Sequence, residues 1–87
     1  MHEAGLMRDL MRKITDLAAE ADARRITGVS VWLGALSHMS PEHFQEHFDQ
    51  AAAGTLAEGA RLTCEVSHDI ADPNAEAILL RSIETED

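Results

Sequence analysis

Tyrosine is absent from these 87 residues, one tryptophan and two phenylalanines are the whole aromatic complement, and there is a single cysteine. So few rings leave no platform on which nucleic-acid bases could stack, and the core must be built from aliphatic side chains. One cysteine closes no internal disulfide and assembles no thiolate metal cluster by itself. Nothing in the sequence therefore calls for an oxidising compartment, and the cytoplasm is the expected location. Positive charge is also scarce: 7 Lys and Arg stand against 16 Asp and Glu, a formal net charge of −9. That sign opposes phosphate backbones and anionic membrane surfaces, so neither nucleic acid nor a membrane is an expected partner. No apolar run approaches the roughly 18 residues of a membrane span, and His2 and Glu3 do not lead from a basic region into an apolar stretch. Met1 is accordingly expected to be the N-terminus of the working protein.

What is present is a chain that is 45% hydrophobic, enough for a folded globule. Its length suits one domain, 1–87, which at this size buries only about 60% of the surface its unfolded chain exposes. From Glu3 to Ala23, Leu6, Met7, Leu10, Met11, Ile14, Leu17, Ala18 and Ala21 recur at spacings of three and four, predicting one long amphipathic helix. The period then switches to two. Over Arg25 to Leu36, Thr27, Val29, Val31, Leu33 and Ala35 fall on one side and Gly28, Ser30, Trp32 and Gly34 on the other, as in a strand with one buried face.

Ser40-Pro41-Glu42 supplies an N-cap, a proline at the first helical position and an acid in the first turn of a second helix. Phe44, Phe48, Ala51 and Ala52 form its apolar stripe, and Gly54 is placed to end it. Alternation resumes from Ala60 to Ser67, with Leu62, Cys64 and Val66 on one face. Asp72-Pro73-Asn74 marks a turn, and Ile78 to Thr85 reads as a third strand. The order helix-strand-helix-strand-strand predicts an α+β, two-layer domain, with two helices packed on one face of a three-stranded sheet.

Two constellations have metal chemistry in them. Met1-His2-Glu3 offers an α-amine, backbone amide nitrogens and an imidazole on adjacent residues, a nitrogen-rich set that favours planar binding of Ni(II) or Cu(II). His43, Glu46 and His47 match the H-x-x-E-H pattern of inverted zinc peptidases, and the i, i+4 spacing of the histidines lets both imidazoles reach one ion. A peptidase also needs a distant third ligand and a peptide cleft, for which so short a chain has little material. Beside the Phe44/Phe48 stripe, partly exposed boundary histidines are the ordinary outcome, with surface metal binding by His43, Glu46 and His47 the alternative, and no catalytic residue is expected. Cys64, in line with Leu62 and Val66, reads as a small buried hydrophobe. His38 and His68, near strand ends, are expected to face solvent, and Met7 and Met11 to belong to the core.

Taken together, the chain resembles the HypA/HybF-type hydrogenase nickel-insertion proteins. The likeness rests on Met1-His2-Glu3 ahead of a helix, on Ala23-Arg24-Arg25-Ile26-Thr27-Gly28-Val29 leading to Leu33-Gly34-Ala35-Leu36-Ser37, and on Phe48-Asp49. It continues through Gly54-Thr55-Leu56-Ala57-Glu58-Gly59-Ala60 and Leu80-Arg81-Ser82-Ile83-Glu84. The resemblance implies a nickel metallochaperone, not an enzyme, with Ni(II) as transient cargo held by Met1, His2 and Glu3. It implies a hydrogenase large subunit or a nickel-insertion GTPase as partner, and leaves a homodimer open. The chain departs from the family in one respect. Between the second and third strands, family members carry a zinc-binding domain with two C-x-x-C pairs, and here that stretch is only residues 67–77, without cysteine. No structural zinc is therefore expected, and 67–77 should be a short hairpin connection. A second reading follows from the same departure: a metal-free interaction module derived from this fold that binds a hydrogenase subunit or maturation partner.

Overall fold

The computed structural model describes residues 3–86, with side chains described for residues 5–86. Five elements follow one another: α1 (Glu3–Glu20), β1 (Arg25–Leu33), α2 (Pro41–Ala52), β2 (Arg61–Val66) and β3 (Ile78–Glu86). The architecture is α+β, as the periodicities predict. Both helices lie on one face of the sheet. Met7, Leu10, Ile14 and Ala18 from α1 and Phe44, Phe48 and Ala52 from α2 form a single buried cluster with Ile26, Val29, Val31 and Leu33 of β1. Half-buried Leu62 and Cys64 of β2 and Ile78, Leu80 and Ile83 of β3 pack against it.

Each helix ends for an identifiable reason. Ser40 caps α2, its Oγ accepting the His43 N–H at 3.1 Å, with Pro41 at the first helical position. Helix α1 stops three residues before the predicted Ala23. Asp22 adopts the left-handed conformation (φ 55°), Ala23 N–H donates to the Ala18 carbonyl at 2.9 Å, and Asp22 N–H donates to that of Ala19 at 3.1 Å. This is a Schellman closure with an aspartate where glycine is usual, and Ala23 packs against the core cluster to which Ala18 belongs.

The sheet runs β2-β1-β3, with β1 parallel to β2 and antiparallel to β3. The predicted hairpin is therefore overturned: β2 and β3 never pair, and residues 67–77 carry the chain over the end of β1 to its other edge. Ser67 N–H donates to Leu33 O at 2.9 Å on one side, and Gly34 and Leu36 N–H donate to Ala77 and Ala75 O on the other, at 2.9 and 2.7 Å. The physical reason lies in β1, the most apolar strand. Its first edge is taken by β2 in a strand-helix-strand unit, and pairing β3 with β1 leaves neither edge of this buried strand open.

The first strand is also shorter than predicted, and its face changes partway. Pairing to β3 skips Thr27 on β1 and Arg81 on β3, one bulge on each strand. Ile26 thereby takes the core position that simple alternation assigns to Thr27, and Ile26 is 1% exposed. The opposite sheet face bears Ser30, Trp32, Thr63 and Ser82, and among the described residues no helix packs on it.

Candidate metal site

No charged or polar side chain is buried among the described residues, and none of their buried side-chain polar atoms lacks a partner. The polar side chains described are therefore exposed or half-buried.

The second helix brings His43 and His47 together. Phe44 and Phe48 fill the core from one side of α2, which turns the two histidines, one helical turn apart, onto its outer flank. Their Nε2 atoms are 2.9 Å apart, their ring centroids 4.6 Å, and the rings are tilted by 37°. Among the described residues no group of three His, Cys, Asp or Glu is gathered closely enough to hold a metal, so Glu46 does not complete the sequence motif. No zinc-peptidase triad forms here.

Cys64 does not supply a metal centre either. It sits on β2 facing the helices, partly buried. Desolvation raises its thiol pKa from the ordinary 9.0, and the Glu42 carboxylate adds to the rise. A neutral thiol is a poor ligand and a poor nucleophile. As the chain's single cysteine it also gives a zinc ion no thiolate cluster, so the residues present do not fit the family's zinc site. Glu42 escapes sequence reasoning as Cys64's neighbour, because only the packing of α2 against β2 joins residues 22 positions apart. The acid's place in the first helical turn, beside the cap, was the only sequence signal.

Of the N-terminal set, Met1 and His2 lie outside the described residues. Glu3 opens α1, and His38 and His68 are both exposed, as their positions near strand ends predict. The backbone N–H of Glu3 is among the first four of a helix and so has no acceptor within it.

The family of hydrogenase/urease nickel incorporation metallochaperones, hypA, matches residues 1–72. Among curated proteins, the hydrogenase maturation factor HypA of Archaeoglobus fulgidus is 39% identical over 72 residues, covering 83% of this chain and 64% of that protein. HypA of Methylocella silvestris is 36% identical over 66 residues, covering 76% and 58%. The chain thus spans roughly three fifths of the length of these relatives. A solution structure of the Ni metallochaperone HypA from Helicobacter pylori superposes with a TM-score of 0.80 at 17% identity, covering 99% of this chain and 98% of that one. At that identity the likeness is one of fold, and it includes β3, which lies beyond the family match. With both helices, β1 and β2 inside the matched residues, the chain belongs to the HypA family.

Proposed function

We propose that this protein is a nickel-binding accessory factor in the maturation of a nickel enzyme, foremost a [NiFe]-hydrogenase, and that its cargo site is the N-terminus. The observation that carries this reading is the family match, which starts at residue 1 and so takes in Met1-His2-Glu3, whose Glu3 opens α1. The α-amine of Met1, the imidazole of His2 and the backbone nitrogens of His2 and Glu3 would form a planar nitrogen set. The start of α1 at Glu3 suits this role. Its amide is uncommitted within the helix, and the partial positive charge of a helix N-terminus favours loss of the amide proton that nickel must displace. Nickel would leave by exchange of these ligands for those of a client, a hydrogenase large subunit or a nickel-insertion GTPase, in the cytoplasm. Cu(II) stands above Ni(II) in intrinsic affinity, so selectivity falls to metal availability and to docking. The protein acts as a carrier and not an enzyme, and it works without structural zinc.

One observation favours a second reading. Residues 67–77, between β2 and β3, contain no cysteine, which fits an interaction module that docks on a maturation partner without moving metal. Transfer separates the two. Nickel-loaded protein is mixed with an immature, nickel-free hydrogenase large subunit in the presence of a chelator that strips free Ni(II). The carrier reading expects nickel in the subunit; the module expects a complex that forms equally well without nickel and leaves the subunit empty.

A further inference from the structure

We propose that the end of the molecule where residues 67–77 cross over β1 is a docking surface for a basic, amphipathic segment of a partner protein, one that sets lysine or arginine around one or two large apolar side chains. Docking there does not depend on nickel; only its use in cargo transfer rests on the carrier reading.

Exposed apolar side chains mark the surface. Six large ones are exposed among the described residues, and four of them belong to this end. Val66 closes β2, Leu36 follows the end of β1 and donates its N–H to Ala75 O at 2.7 Å, and Leu79 lies at the start of β3 opposite half-buried Trp32. Ile70 stands in the crossover itself and is 69% exposed, the most of the six. The other two belong to the far end: Leu17 is in the last turn of α1, and the Leu56 carbonyl accepts the Ile26 N–H. Ile70 is also held in place. Ser67 Oγ accepts the Asp69 N–H at 3.2 Å and Asp69 Oδ1 accepts the Ala71 N–H at 3.0 Å, so the backbone on either side of Ile70 is ordered before a partner arrives and little ordering is left for binding to impose. Exposed apolar groups on an ordered loop, rimmed by polar ones, are what a protein docking site is made of.

Charge names the occupant. Residues 62–80 contain Glu65, Asp69, Asp72 and Glu76 and no lysine or arginine. Arg61 is the only base between Arg25 and Arg81, and it opens β2, at the opposite end of that strand from Val66. Arg81 is already engaged, with its Nη1 3.2 Å from Glu65 Oε1. Lysine or arginine on a partner would complement this charge. The same acids disfavour other occupants: a second copy would set like charge against like, and an anionic lipid surface or a nucleic acid would be repelled.

The place of the surface suits a carrier. Helix α1 doubles back into β1 through residues 21–24, and its eighteen residues at about 1.5 Å each span about the length of the nine of β1 at about 3.3 Å each. Glu3 therefore lies toward the end of β1 where the crossover passes, so a seated partner is at the end of the molecule from which the carrier reading has cargo handed over.

The test selects random short peptides displayed on phage against the full chain, so that the surface itself chooses its ligand, with a chelator present throughout. Recovered peptides should be rich in lysine and arginine around one or two large apolar residues. By fluorescence anisotropy, Ile70→Ser should weaken the tightest of them about tenfold, as loss of a central anchor does. Asp69→Asn combined with Asp72→Asn, which keeps an oxygen for each turn, should weaken it several-fold and flatten its dependence on salt. Leu56→Ser at the far end and Glu46→Gln on α2 should bind like the parent. Circular dichroism checks each fold, and should Ile70→Ser misfold, the asparagine pair still gives the answer. Selection that enriches no basic peptide, binding undiminished in folded Ile70→Ser, an equal loss in Glu46→Gln, or a dimer that Ile70→Ser dissociates overturns the proposal. None of these outcomes bears on the N-terminal nickel site, since the chelator keeps nickel out of every arm.

Discussion

Burial against the helices pushes the Cys64 thiol above its ordinary 9.0, and the Glu42 carboxylate pushes it further. A group whose folded pKa is raised favours the fold in its protonated form. Its contribution is fully present below the unfolded pKa, about 9, and is lost as pH climbs through the folded value. Few other groups titrate in that range, because the sequence has no tyrosine and its one lysine is Lys13. Denaturant midpoints measured from pH 7 to 10.5 should therefore fall on the alkaline side, and Cys64→Val, which fills a similar space without ionising, should flatten that limb. An unchanged limb would separate the thiol from the effect. The inward direction of Cys64 was legible from its alternation with Leu62 and Val66. Its acidic neighbour was not, since an alternation pattern carries no information about which helix residue lies across from a strand.

At the level of elements, periodicity located both helices and all three strands, and the cap chemistry of Ser40-Pro41 placed the start of α2 at the residue observed. Two details required the third dimension. Alternation over β1 put Thr27 inside because a bulge cannot be seen in one strand alone: it is a mismatch of count between partners, and Ile26 moves to the core only once β3 is aligned. The end of α1 was also overrun. Ala21 and Ala23 extend the apolar spacing, while the residue that stops the helix is a left-handed aspartate, less typical than glycine. Because Asp22 holds φ 55° without the freedom of glycine, Asp22→Gly should stabilise the protein by about 0.5–1 kcal/mol. Thermal unfolding reads this directly. A loss of stability would mean that the aspartate side chain, and not the backbone, secures the turn.

For the molecule as a whole, the topology depends on eleven residues. Hairpin loops rarely exceed about five residues, and 67–77 is longer than that, but the absence of the family's insertion led the sequence reading to a hairpin there, which the β2-β1-β3 order replaces. The crossing is held tightly at Gly34. A methyl group there would collide with the Ala75 carbonyl oxygen and come within 2.6 Å of its carbon and 2.7 Å of the Asn74 oxygen, all backbone atoms that cannot swing aside. At Gly28 the nearest obstacle is the flexible end of the Glu84 side chain. Gly34→Ala should consequently cost about 1–3 kcal/mol, in the range of overpacked sites, and Gly28→Ala distinctly less, as urea unfolding of the two variants would show. Equal losses would mean that the crossing yields as easily as a side chain.

The family match takes in Met1-His2-Glu3, of which Glu3 opens α1, and that motif carries the central claim. It is tested by titrating Ni(II) into native protein, into His2→Ala and into N-terminally acetylated protein while following the visible absorption of planar nickel. The account predicts a planar band that saturates at one equivalent in native protein and is absent from both altered chains, since planar coordination needs the free amine and the His2 imidazole together. The same band in acetylated or His2→Ala protein would contradict it.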